Sequence, residues 1–132
     1  MFSLNRSHIH NQYENELTNK GEKRKAGTRW VKECFNEDIW INWYHDNVIH
    51  RTDGPASMLY YKNEIITEKW YSGGKLSRID GGAADKHYYN KNIFIETWYL
   101  SGKQGRLEKD KPTKIIYGNN GEIDLISFWT AY

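Results

Sequence analysis

One motif recurs three times along this 132-residue chain at a nearly constant period, and that constrains the fold more than any local propensity. Trp-Tyr pairs begin at Trp43, Trp70 and Trp98, giving spacings of 27 and 28. An arginine follows eight residues after each tryptophan, at Arg51, Arg78 and Arg106, and an acid two residues after that, at Asp53, Asp80 and Glu108. The first copy closes on Gly54-Pro55-Ala56 and the second on Gly81-Gly82-Ala83. The third departs, with Lys109, Asp110, Lys111 and Pro112 replacing Gly-Pro. Tyr60-Tyr61 and Tyr88-Tyr89 keep step, each pair starting ten residues before the next tryptophan. Such a period marks a unit that is stacked on copies of itself because it cannot bury its apolar face alone.

The unit reads as β-structure. The segments 63–71 and 92–99 are β-branched, aromatic and alternating, and 36–44 fits the same slot. Strict alternation places Ile66, Glu68 and Trp70 with Phe94, Glu96 and Trp98 on one face. Ile65, Thr67, Lys69 and Tyr71 then join Ile93, Ile95, Thr97 and Tyr99 on the other. Ser72-Gly73-Gly74 and Ser101-Gly102 supply tight hairpin turns, with Asp46-Asn47 as a weaker version. Pro55 cannot donate to a ladder, so Gly54, Pro55 and Gly81 mark a structural turn or bulge. The expected fold is all-β: a twisted antiparallel meander of repeated β-hairpins, with eight to ten short strands. Units start near Trp43, Trp70, Trp98 and Phe128.

Residues 1–25 form an N-terminal cap or flexible segment, and 26–132 the repeat domain. In the first part, Ile9, Tyr13 and Leu17 have a weak helical spacing, and helix, strand and disorder all remain open. Arg24 and Gly27 stand 27 residues before Arg51 and Gly54, so a degenerate first repeat is a further reading.

Composition narrows the function. Aromatics reach 15%, with six Trp and ten Tyr, although mean hydropathy is −0.90. Large amphipathic rings, more than Leu or Val, therefore supply the buried area. A formal charge of +2 is too weak to argue for nucleic acid by bulk electrostatics. Cys34 is the sole cysteine, which excludes an internal disulfide and a multi-cysteine zinc site. No apolar run reaches a membrane span and no signal-peptide pattern opens the chain, so a cytoplasmic setting without membrane is expected.

The unit Trp-Tyr-x-x-Gly-Lys-x-x-Arg-x-Asp-Gly-Pro-Ala, followed by Tyr-Tyr, resembles the MORN-variant repeats of bacterial, phage and large-DNA-virus proteins. The likeness runs over roughly residues 24–132 and is best at His50–Ala56 and Gly74–Gly81. What it implies is binding, in antitoxin, immunity or anti-defence settings, since the family is an architecture and not a reaction.

The repeated arginines and acids project to one face of a strand. They read either as an ion-pair ladder offered to a ligand, or as arginines stacked on tryptophans of neighbouring hairpins with the acids capping turns. The second reading is favoured, because a group present in every unit usually maintains the unit. His45, His50 and His87 lack metal-ligand spacing, and His8 and His10 lie on a tail. His45, His50, Asp53 and Cys34 fall in no catalytic motif, and Cys34 reads as a small buried apolar residue. No cofactor and no enzyme activity are expected. The expected function is a non-enzymatic module that blocks or sequesters a protein partner. It would bind through Tyr44, Tyr71 and Tyr99, with Asp46 and Lys75 at the edge; some of these rings and Trp40 are expected to be exposed, unless the sheet curls enough to bury its concave face by itself. The alternative is a nucleic-acid binder using the basic stretches 20–29 and 103–114 beside exposed aromatics.

Overall fold

Among the described residues, five two-residue turns place both residues in the left-handed region: Asp46-Asn47, Lys62-Asn63, Gly73-Gly74, Asn90-Lys91 and Ser101-Gly102. This is the type I′ geometry, whose twist matches that of the strands it joins. The computed structural model describes residues 23–25 and 28–128. The expected helical spacing through Ile9, Tyr13 and Leu17, the tail histidines and Trp129 lie outside the described residues.

Fourteen strands are described: β1 (Lys23–Lys25), β2 (Thr28–Phe35), β3 (Asp38–His45), β4 (Val48–Ile49), β5 (Ser57–Tyr61), β6 (Glu64–Lys69), β7 (Tyr71–Ser72), β8 (Lys75–Leu76), β9 (Asp85–Tyr89), β10 (Asn92–Thr97), β11 (Tyr99–Leu100), β12 (Lys103–Gln104), β13 (Lys114–Tyr117) and β14 (Ile123–Ser127). Among the described residues there is no helix. Ten strands form one antiparallel sheet in the order β1-β2-β3-β5-β6-β9-β10-β13-β14, with β4 on the end of β3. Lys23–Lys25 pairs with β2, so the sheet already begins inside the segment assigned to the cap.

The small hairpins β7–β8 and β11–β12 continue the long strands past Trp70 and Trp98 and make a ladder of their own. The N–H of Arg51 donates to the Tyr71 carbonyl (3.2 Å) and that of Arg78 to the Tyr99 carbonyl (3.1 Å). Gly74 N–H reaches the Ile49 carbonyl (2.9 Å) and Gly102 N–H the Leu76 carbonyl (2.7 Å). Each hairpin is thereby seated on its predecessor through equivalent atoms, which is how a repeat array propagates.

Strict alternation fails at one place in each later unit. Tyr60 pairs with Ile65 but Leu59 with Thr67, so Ile66 is an extra residue, and Phe94 and Asp124 occupy matching bulges. A bulge inverts the side-chain phase beyond it. Ile65 and Glu68, opposite Tyr60 and Met58, therefore share the buried face, against the expectation that they lie on opposite faces.

The core lies on that face and is densest in the first half of the sheet: Trp30, Ile41, Trp43, Ala56, Met58, Tyr60, Ile65 and Tyr88. Trp30 and Trp43 stack with ring centroids 6.0 Å apart. Farther along, the same row becomes polar. Lys86 stands in register between Glu68 and Glu96, and the Tyr88 and Tyr117 hydroxyls donate to Glu68 and Glu96 respectively.

Candidate functional site

Each repeat arginine is held by three contacts. Arg51, Arg78 and Arg106 lie over Trp43, Trp70 and Trp98 at 3.9, 3.8 and 4.0 Å from the ring centroids. Their Nε atoms donate to Asp53 (2.8 Å), Asp80 (2.6 Å) and Glu108 (3.1 Å). Their Nη1 atoms donate to the carbonyls of Pro55 (3.3 Å), Ala83 (3.2 Å) and Pro112 (2.9 Å). The bridged loop lengthens from four to five to six residues while the clamp persists. The third loop, whose sequence departs, closes the same way. The tryptophan under each arginine belongs to its own unit and not to a neighbouring hairpin. The acid serves the arginine first, although Asp80 also accepts from Gly82 N–H (3.1 Å). The Arg78 hydrogen bond holds the Asp80 carboxyl below its usual range, and Arg106 does the same for Glu108. The clamp fixes the loops, so these cations and anions are largely spent on one another.

A cleft of about 310 Å³ lies between the second and third loops, bordered by Ile79, Trp98 and Leu107. One of about 270 Å³ lies beside the first, bordered by Thr28, His45, His50 and Asp53. In the latter, His50 Nδ1 accepts from Gly73 N–H (2.8 Å), the position at which Ser77 Oγ accepts from Ser101 N–H (3.0 Å). His50 is a brace between hairpins. Among the described residues no group of three or more His, Cys, Asp or Glu is placed to hold a metal ion. No helix among them is long and apolar enough to cross a membrane. Cys34 is exposed, not buried: among the described residues β1 pairs only with the Thr28–Arg29 end of β2, away from Cys34.

Tyr44, Tyr71 and Tyr99 occupy equivalent positions and all three are half-buried. The Arg29 guanidinium covers Tyr44 at 4.7 Å, and Tyr71 packs against the core. Burial pushes the Tyr99 hydroxyl pKa up, with Asp85 adding to it. Asp46 and Lys75 are exposed at hairpin tips, and the Gly102 turn rests on the Lys75 stem.

A group of exposed rings lies at the other end of the strands, on the face away from the core. In each Tyr-Tyr pair the first ring is buried, Tyr60 at 0% and Tyr88 at 8%, while Tyr61 and Tyr89 are 45% and 64% exposed. Phe35, in register with Asp38 and through it with Tyr61, is 71% exposed. Phe35, Tyr61 and Tyr89 thus stand on alternate strands β2, β5 and β9, with half-exposed Trp40 one row inward. The turns beneath Phe35 and Tyr61 are tied together, since Lys62 N–H donates to the Glu37 carbonyl (3.1 Å). The Tyr-Tyr dipeptide was the available sequence signal: neighbours in a strand face opposite sides, so one ring of each pair must point away from the core. No protein-family model, curated protein or solved structure matches this chain.

Proposed function

We propose that this chain is a non-catalytic protein-binding module whose contact surface is the row Phe35, Tyr61 and Tyr89 with Trp40 beside it. The observation that carries the reading is the repetition of an outward tyrosine in two units where only the inward one builds the core. Exposed Tyr and Trp held on a rigid sheet are the side chains that dominate protein interfaces. The arginines of the repeat are engaged in clamps, which favours a protein partner over nucleic acid. The likeness to MORN-variant units points the same way, and blocking or sequestering a partner is the activity such a module performs. The hairpin-tip group of Tyr44, Tyr71, Tyr99, Asp46 and Lys75 is a secondary surface, weakened as a candidate by the half-burial of its rings.

The test is affinity capture from the native host lysate at low and then high salt. A protein partner retained at high salt, and lost with Tyr61→Ala plus Tyr89→Ala at unchanged melting temperature, is the expected result. Each ring should contribute about 2 kcal/mol. Recovery of nucleic acid alone, eluting at moderate salt, would reject the reading.

A further inference from the structure

The spacing and charge of the exposed row define the kind of partner it fits. Alternate strands of a sheet are about 9.4–9.8 Å apart, and Phe35, Tyr61 and Tyr89 sit on alternate strands. A polyproline II helix has three residues per turn and advances about 9.3 Å per turn. Its prolines at every third position therefore fall over successive rings with a mismatch of at most about half an ångström per step. We propose that the row binds a proline-rich segment in the polyproline II conformation, laid across the strands along their turn ends.

The surroundings supply what such a ligand needs. A polyproline II backbone makes no internal hydrogen bonds, so its carbonyls need donors between the aromatic contacts. The donors carried by the row and its turns are the Tyr61 and Tyr89 hydroxyls and the ammonium groups of Lys62 and Lys91. Lys62 Nζ is 5.4 Å from the Tyr61 ring centroid, and Lys91 Nζ is 3.5 Å from Glu64 Oε2 on the strand between β5 and β9. Charge is polarised along the row. Glu33 and Glu37 are exposed at the Phe35 end, whereas Lys62 and Lys91 flank the two tyrosines. The segment that fits carries a basic residue over Phe35. Because the rings are fixed by paired strands and tied turns, and the ligand is pre-extended, little conformational entropy is lost on binding.

This inference rests on the protein-binding reading, and its test separates the two. The probe is a fluorescein-labelled peptide of about twelve residues, long enough for three turns, with proline at every third position and arginine at one end. Fluorescence anisotropy with the full chain should give saturable binding. Tyr61→Ala and Tyr89→Ala should each weaken it at least tenfold with melting temperature unchanged, while Leu107→Ala, in a loop at the far end of the strands, should not alter it. Moving arginine to the opposite end should weaken binding several-fold, and the double variant Glu33→Lys, Glu37→Lys should abolish that preference. Equal binding of a peptide with proline at every fourth position, or of one with alanine for proline, would overturn the proposal. So would the absence of saturable binding. If the captured partner still depends on Tyr61 and Tyr89 but the peptide does not compete for it, the polyproline inference fails and the broader reading survives.

Discussion

At the scale of single residues, the chain devotes its most conspicuous charges to holding itself together. Arg78 offers a planar fork that stacks on Trp70 while bonding Asp80 and the Ala83 carbonyl, a geometry that lysine cannot reproduce. Arg78→Lys should therefore lower stability by about 1–2 kcal/mol despite keeping the charge, read from urea midpoints. Gly82 is required for the same reason: a Cβ there would lie 2.3 Å from Arg78 Cζ. Gly82→Ala should cost about 1–3 kcal/mol in the native background and much less when Arg78 is already alanine. A double-mutant cycle measures that coupling, and additivity would show that the clamp is not what Gly82 serves.

At the scale of strands and hairpins, stacking makes demands that an isolated hairpin would not. Gly73 and Gly74 both have positive φ, but only at Gly74 would an added Cβ meet the preceding hairpin, 3.2 Å from Val48 Cγ1. Gly74→Ala should destabilise by about 1–3 kcal/mol and by more than Gly73→Ala, where nothing lies within 4 Å. Thermal melts of the two variants side by side decide this. Pairing of β13 with β10 also sets a pH response. Tyr117 donates to Glu96, and burial with that carboxylate pushes its pKa from 10.0 up to about 12. A raised folded pKa means that this stabilisation is complete below pH 10 and is lost as pH climbs towards 12. Melting temperature should fall less steeply across that window in Tyr117→Phe than in the native chain. Tyr88, pushed up by burial beside Glu68, acts in the same direction.

At the scale of the whole molecule, burial is graded along the array. Ile41, Met58 and Tyr60 have no exposed surface, whereas Ile123 and Leu125 of β14 are 60% and 54% exposed. Stability in a repeat sheet is nearly a sum of unit and neighbour terms, so unevenly packed units open unevenly. Amide hydrogen exchange should be slowest in β3 and β5 and fastest in β13 and β14. Uniform protection across the sheet would mean that the array unfolds as one cooperative block. Placing the exposed ring row over the well-packed first half gives a binding surface its rigid support.

By itself the sequence determined the unit, its period, its turns and the all-β meander, because positive-φ turn residues, β-branched runs and a recurring Trp-Tyr act over a few neighbouring residues. The Tyr60-Tyr61 and Tyr88-Tyr89 pairs were visible as repeats, yet which ring faces water depended on strand pairing. Only the tertiary structure decided the phase of each strand, since Ile66 and Phe94 bulge where a partner strand is one residue shorter, and this brought Glu68 beside Ile65 inside. It also decided that each arginine covers its own tryptophan, and that Cys34 is exposed. Those outcomes follow from contacts across strands, where a one-residue change in register inverts a face and no local pattern records it.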